Sequence, residues 1–196
     1  LPVIVGALGF FVDVYDLLLF GIIRKPSLSS LGLSPDQVFT QGETILSIQM
    51  FGLLTGGILW GILGDKKGRL SVLFGSILLY SLANIANGMV ATVGQYTIMR
   101  FIAGIGLAGE LGASITLVSE LLPKEKRGIA AAMIAGFGIF GAVSAFFVSQ
   151  QFDWRICYYI GGAMGLLLLL LRVTIFESGL FNEVKKMQVQ RGNFFM

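Results

Sequence analysis

Three carboxylic acids stand in long apolar surroundings. Asp13 and Asp16 lie in Gly9-Phe10-Phe11-Val12-Asp13-Val14-Tyr15-Asp16, and Glu110 lies in Gly104-Ile105-Gly106-Leu107-Ala108-Gly109-Glu110-Leu111-Gly112. If both segments are helical, the spacing of three puts Asp13 and Asp16 on one face. Two carboxylates held close oppose each other's ionisation, which suits one of them to bind and release a proton. In a bilayer each would cost roughly 2.5–3.5 kcal/mol on the insertion scale, so each requires a polar cavity or a partner. The plainer alternative is a packing pair satisfied by tyrosine and backbone groups. Glu110 follows Arg100 by ten residues, about 15 Å along a helix axis, so these two cannot pair within one helix. Arg100, near the start of its apolar stretch, has three courses: pairing with another span, capping carbonyls, or snorkelling to the surface. The chain has no histidine. Serine–histidine catalysis, the helical zinc-peptidase motif and imidazole relays are therefore ruled out, and proton handling falls to carboxylates. The single cysteine, Cys157, allows no intrachain disulfide and no thiolate metal cluster. No cofactor or metal is expected, and without a Ser–Lys pair or acids paired across helices an intramembrane enzyme is disfavoured.

The elements that must position these acids are transmembrane helices. Of 196 residues 55% are hydrophobic and 13% charged, against about a quarter charged in soluble domains. Charge-poor runs near the ~20 residues that span a bilayer recur along the chain. They predict six spans at about 2–23, 44–64, 70–89, 96–122, 129–149 and 156–176, followed by a cytoplasmic amphipathic segment over 177–196. The first is too long, and too acidic in its middle, for a cleaved signal peptide. Ser34-Pro35-Asp36 reads as a helix start before the second span. Gly52, Gly56, Gly57 and Gly61 in the second span, with Gly138 and Gly141 in the fifth, predict close helix crossings. The basic residues cluster in Lys66-Lys67-Gly68-Arg69, in Lys124-Glu125-Lys126-Arg127 and in Lys185, Lys186 and Arg191. That asymmetry predicts both termini on the cytoplasmic side, with Arg172 near that face. It accounts for the net charge of +3 and pI of about 9.1 without a nucleic-acid partner. The spans starting near Leu1 and Tyr96 both carry acids at mid-depth. The fold class that follows is an all-α membrane protein of two inverted three-helix repeats.

The turn Gly61-Ile62-Leu63-Gly64-Asp65-Lys66-Lys67-Gly68-Arg69, between second and third spans, resembles the signature loop of the major facilitator superfamily in residues and location. The resemblance covers essentially the whole chain. It implies that this is the N-terminal half of a twelve-helix protein, with the C-terminal half absent and residues from 177 opening the linker. It further implies a charge network at the inner gate, in which Asp65 caps a helix of the other half and Arg69 joins Glu120 and Arg127. The first-span motif and the stretch from Arg100 to Glu120 resemble the phosphate:proton and metabolite:proton symporter branches. That likeness assigns Asp13, Tyr15, Asp16 and Glu110 to proton transfer or substrate binding. Glu177-Ser178-Gly179-Leu180-Phe181 is similar to the end of the sixth span in the metabolite branch, with Gly179 where proline is usual. The fifth span lacks the Gly-Pro signature of drug:proton antiporters.

Together these imply a secondary active transporter of a bacterial inner membrane that moves a small polar or anionic solute in symport with protons. Asp13, Asp16 and Glu110 would line the half-site, and Arg100 would hold the first and fourth spans together or attract anions. A passive facilitator or cation channel, a drug or metabolite exporter, and a six-span assembly subunit are the alternatives. The solute, and proton against sodium coupling, depend on residues of the other half.

Overall fold

The computed structural model describes the backbone of residues 2–121 and 124–175, and the side chains of residues 6–68, 71–110, 128–129 and 131–174. Six helices follow one another: α1 Pro2–Ser30, α2 Pro35–Lys67, α3 Arg69–Asn87, α4 Val93–Leu121, α5 Lys124–Gln151 and α6 Trp154–Ile175. The apolar runs alone do not set these limits. α1 passes through Pro26 to Ser30, and α2 begins at Pro35, so most of the polar stretch after Ile23 is helical rather than loop. Proline at the first helical position sacrifices an N–H that has no partner there anyway. The Ser34 N–H donates to Gln37 Oε1 at 3.0 Å, which fixes the start of α2. Gly68 has φ +87°, a conformation that side-chain-bearing residues rarely adopt, and this lets the chain reverse between α2 and α3 in one residue.

α1 packs along α5, α2 along α4, and α3 against both α4 and α6. Exchanging the first three helices with the last three turns the α1–α5 pair into α4–α2, as two three-helix repeats require. Both crossings are made by small residues. A Cβ at Gly56 would stand 2.5 Å from Ile105 O, one at Gly52 would collide with Phe101 O, and one at Gly141 would collide with Phe11 O. Gly138 likewise faces Phe10. Gly57 and Gly61 differ from expectation: both are exposed, with no atom near a prospective Cβ, so they take no part in these crossings.

Among the described residues four helices are long and apolar enough to cross a membrane. Large apolar side chains point outward, among them Phe51, Leu54 and Ile58 on α2 and Ile139, Phe140 and Phe147 on α5. In water so continuous an apolar surface would aggregate, whereas in lipid it is the natural exterior. The chain is an integral membrane protein. Its interior, by contrast, is partly polar, and the polar groups are concentrated between α1, α3, α4 and α6.

Candidate functional site: two stacked charge clusters inside the bundle

Among the described residues five side chains of the acidic and basic types, Asp13, Asp16, Arg100, Glu110 and Arg172, lie inside the bundle, none more than 1% exposed. They form two clusters at different depths. Arg100 and Glu110 lie ten residues apart on α4, and the axial rise of about 15 Å separates the clusters on that helix.

The first cluster joins α1 to α4. Arg100 grips Asp16 with two parallel hydrogen bonds, Nη2 to Oδ2 at 2.8 Å and Nη1 to Oδ1 at 3.3 Å. This fork geometry is the strong form of a carboxylate–guanidinium pair. Asn84 Oδ1 of α3 stands 3.5 Å from Nη1. Aromatic faces cover the guanidinium, whose Cζ lies 5.3 Å from the ring centre of Tyr158 and 5.9 Å from that of Phe20. A face of negative π density favours a cation without supplying a competing hydrogen-bond acceptor. Beyond these rings the Tyr158 and Tyr96 hydroxyls meet at 2.7 Å, and the Tyr96 hydroxyl donates to Ser27 Oγ at 3.3 Å. Tyr96 also stacks on Trp154. The ion pair is thereby closed off at the end of the bundle where α4 and α6 begin.

The second cluster draws on α1, α4 and α6, closer to the basic turns. Arg172 Nη2 meets Glu110 Oε1 at 3.0 Å. Asp13, one helical turn after Gly9 on the same face of α1, is buried in this region. Among the described residues no donor faces either Asp13 oxygen. An ionised carboxylate only accepts, so a buried acid without a donor is best satisfied with a proton on it. Gly9, one turn before Asp13, makes the room: a Cβ there would stand 2.6 Å from Glu110 Oε1 and collide with the Arg172 guanidinium. The glycines preceding Glu110 seat α4 tightly among its neighbours, Gly104 on the α2 backbone at Gln49, Gly106 on Tyr80 and Gly109 on Trp60 and Ser76. The Trp60 indole N–H donates to Ile105 O at 2.7 Å.

Asp13 and Asp16 do not act as one adjacent pair, despite their shared helix and spacing. Each is taken up by a different cluster, because α4 offers Arg100 at one depth and Glu110 at another. Arg100 is not at the surface: it spans to α1. Tyr15 is buried between them but joins neither, its hydroxyl donating to Cys157 O at 3.1 Å and tying α1 to α6. Of the expected gate network Asp65 is exposed near the end of α2, while the side chains of Arg69, Glu120 and Arg127 lie outside the described residues. Arg172 went unrecognised as a site residue, since an arginine near the end of the last span reads as a topological charge. The α3 contribution was also missed. Ser76, Tyr80, Asn84 and Asn87 are all buried, and their helical spacing forms a polar stripe in an apolar span, which is the signal that could have revealed it.

A bundle of membrane helices that conceals three acids and two arginines is built to handle charge inside the membrane. Residues 6–193 match the family model of the Major Facilitator Superfamily. The chain belongs to that superfamily. It is 29% identical over 178 residues to the putative niacin/nicotinamide transporter NiaP of Bacillus subtilis, an alignment covering 89% of this chain and 44% of that protein. It is 32% identical over 185 residues to the benzoate transport protein of Acinetobacter baylyi, covering 90% and 39%. It is 32% identical over 169 residues to inorganic phosphate transporter 1-1 of Oryza sativa, covering 78% and 32%. The chain thus spans less than half the length of each of these relatives. In three dimensions it is similar to the inward-open xylose transporter XylE from E. coli, with a TM-score of 0.76 at 19% identity over 98% of this chain and 57% of that one. A proton:xylose symporter structure of XylE bound to a bromodeoxyglucose also superposes, at TM-score 0.76 and 21% identity over 88% of this chain and 44% of that one.

Proposed function

We propose that this chain is the proton-handling half of a secondary active transporter, one that carries a small polar or anionic solute in symport with protons by alternating access. The observation that carries the reading is the buried acid Asp13: it is 1% exposed and no donor faces either of its oxygens among the described residues, so a proton is what keeps it free of an uncompensated charge, while Glu110 on α4 has Arg172 at 3.0 Å. Losing that proton leaves an unmatched carboxylate inside a low-dielectric bundle, so its surroundings must open. That links protonation to a relative movement of α1 and α4. The Asp16–Arg100 pair is internally neutral and holds the same two helices together at the other depth. Relatives named for niacin, benzoate and phosphate support an anionic or polar solute.

The solute would bind between this half and a C-terminal six-helix half, the two rocking about it. By the charge asymmetry of the turns the basic end is cytoplasmic, with both termini inside, in a bacterial inner membrane. Asp65, Arg69, Glu120 and Arg127 would form its gate. No cofactor beyond the coupling proton enters this mechanism. The test uses the complete transporter in proteoliposomes, with niacin, benzoate and phosphate as trial solutes. Asp13→Asn and Glu110→Gln are expected to abolish accumulation driven by a pH gradient while leaving solute exchange at equal pH. Accumulation that persists in both variants, or that follows a sodium gradient instead, would overturn the assignment.

A further inference from the structure

Arg155 stands in the first turn of α6, at the end of the bundle where the Asp16–Arg100 pair is closed off. The Asp153 carboxylate accepts its backbone N–H at 3.1 Å, as the residue before a helix commonly does. An arginine at the edge of a span ordinarily marks topology and reaches into water. This one is partly buried and gives its donors to the chain instead: Nη1 donates to Gly88 O at 3.0 Å and to Val90 O at 2.8 Å. These carbonyls lie just past α3, where a cation also complements the helix dipole. The guanidinium Cζ stands 4.3 Å from the ring centre of Trp154.

Both contacts lead to Arg100. Trp154 stacks on Tyr96 with ring centres 5.8 Å apart, the Tyr96 hydroxyl meets that of Tyr158, and the Tyr158 ring covers the Arg100 guanidinium. On the other side the Gly88 N–H donates to Asn84 O at 3.2 Å, and the Asn84 side chain stands against Arg100 Nη1. The aromatic wall around Arg100 and the α3 wall are thus tied together by one side chain at the rim.

We infer that Arg155 is a positioning residue for the Asp16–Arg100 pair: it fastens the α3–α4 turn to the Trp154–Tyr96–Tyr158 lid and so keeps water from the pair. Water entering there raises the local dielectric constant and weakens the attraction that holds α1 to α4. The inference stands independently of the proton assigned to Asp13 and of the solute.

Cys157, in the same first turns of α6, reports on the lid. It is buried in one cluster with Tyr96, Trp154 and Tyr158, its Sγ 3.7 Å from Phe152 O, so a water-soluble maleimide reaches it only when the lid opens. The labelling rate of the Cys157 peptide, read by mass spectrometry on the purified complete transporter well below its unfolding temperature, measures that opening. Arg155→Gln is expected to raise the rate about tenfold, because local opening no longer breaks charge-assisted hydrogen bonds. Arg155→Lys keeps the charge without the planar stacking group, for a rise of about threefold. Lys25→Gln, which removes an exposed cation at the same end, should keep the parent rate. On the Arg155→Gln background Asp16→Asn is expected to destabilise less than on the parent, since water then reaches the stranded guanidinium. An unchanged labelling rate in Arg155→Gln, even with a lowered unfolding temperature, overturns the inference, as does an equal rise in Lys25→Gln. An unchanged cost of Asp16→Asn overturns the link to the pair. Should Arg155→Gln not fold, Arg155→Lys decides: the parent rate there overturns the inference.

Discussion

Removing Asp16 while leaving Arg100 in place strands a buried cation. At the 2.8 Å separation of Nη2 and Oδ2, an effective dielectric constant of about 20 gives a Coulomb attraction of about 6 kcal/mol. Desolvation of both groups has already consumed part of that, so what a variant exposes is the cost of an unmatched charge, about 3–5 kcal/mol. Asp16→Asn keeps the shape and one acceptor oxygen, placing it at the lower end of this range. Arg100→Gln strands the carboxylate instead and has a similar cost. The double variant Asp16→Asn/Arg100→Gln leaves no charge and two amides able to hydrogen-bond, so it should be more stable than either single variant. The coupling energy of the cycle is expected to exceed about 2 kcal/mol. Equilibrium unfolding of the complete transporter in mixed micelles, followed by the fluorescence of Trp60 and Trp154, measures all four corners. A loss below about 0.5 kcal/mol in Asp16→Asn, the scale of surface substitutions, would show that Arg100 reaches water. Additive losses in the double variant would show that the two residues do not meet.

Further variants probe the remaining contacts. Gly9→Ala puts a methyl group where the Arg172 guanidinium and Glu110 Oε1 meet. It should destabilise by about 1–3 kcal/mol and abolish proton-driven uptake, whereas Gly57→Ala, with open space around it, should change neither unfolding nor uptake. Tyr158→Phe removes the 2.7 Å contact to Tyr96 but keeps a ring beneath Arg100, for a loss of about 1 kcal/mol in the same unfolding assay. Tyr158→Leu removes the ring as well and should cost about 0.5–2 kcal/mol more. Equal losses in the two variants would mean that the ring face does not hold the guanidinium.

The amino-acid sequence by itself determined the environment and the anomalies within it. Apolar runs of bilayer length specify helices in lipid because a backbone there must satisfy its own hydrogen bonds. Asp13, Asp16 and Glu110 stand out in those runs because their burial is costly without partners. The glycines that make the crossings were visible too, except that Gly57 and Gly61 could not be told from Gly52 and Gly56 by spacing, since which face of α2 meets α4 is not written in α2 alone. Partnership was decided by tertiary structure only. Asp16 and Arg100 are 84 residues apart in the chain, and helical periodicity fixes a side chain's face and depth but not the helix it will face. Packing α4 between α2 and α3 on its glycines brought Arg100 to Asp16. Packing α6 beside α1 swung Arg172 inward past Gly9 to Glu110, converting what the sequence shows as a terminal basic residue into the partner of a buried acid.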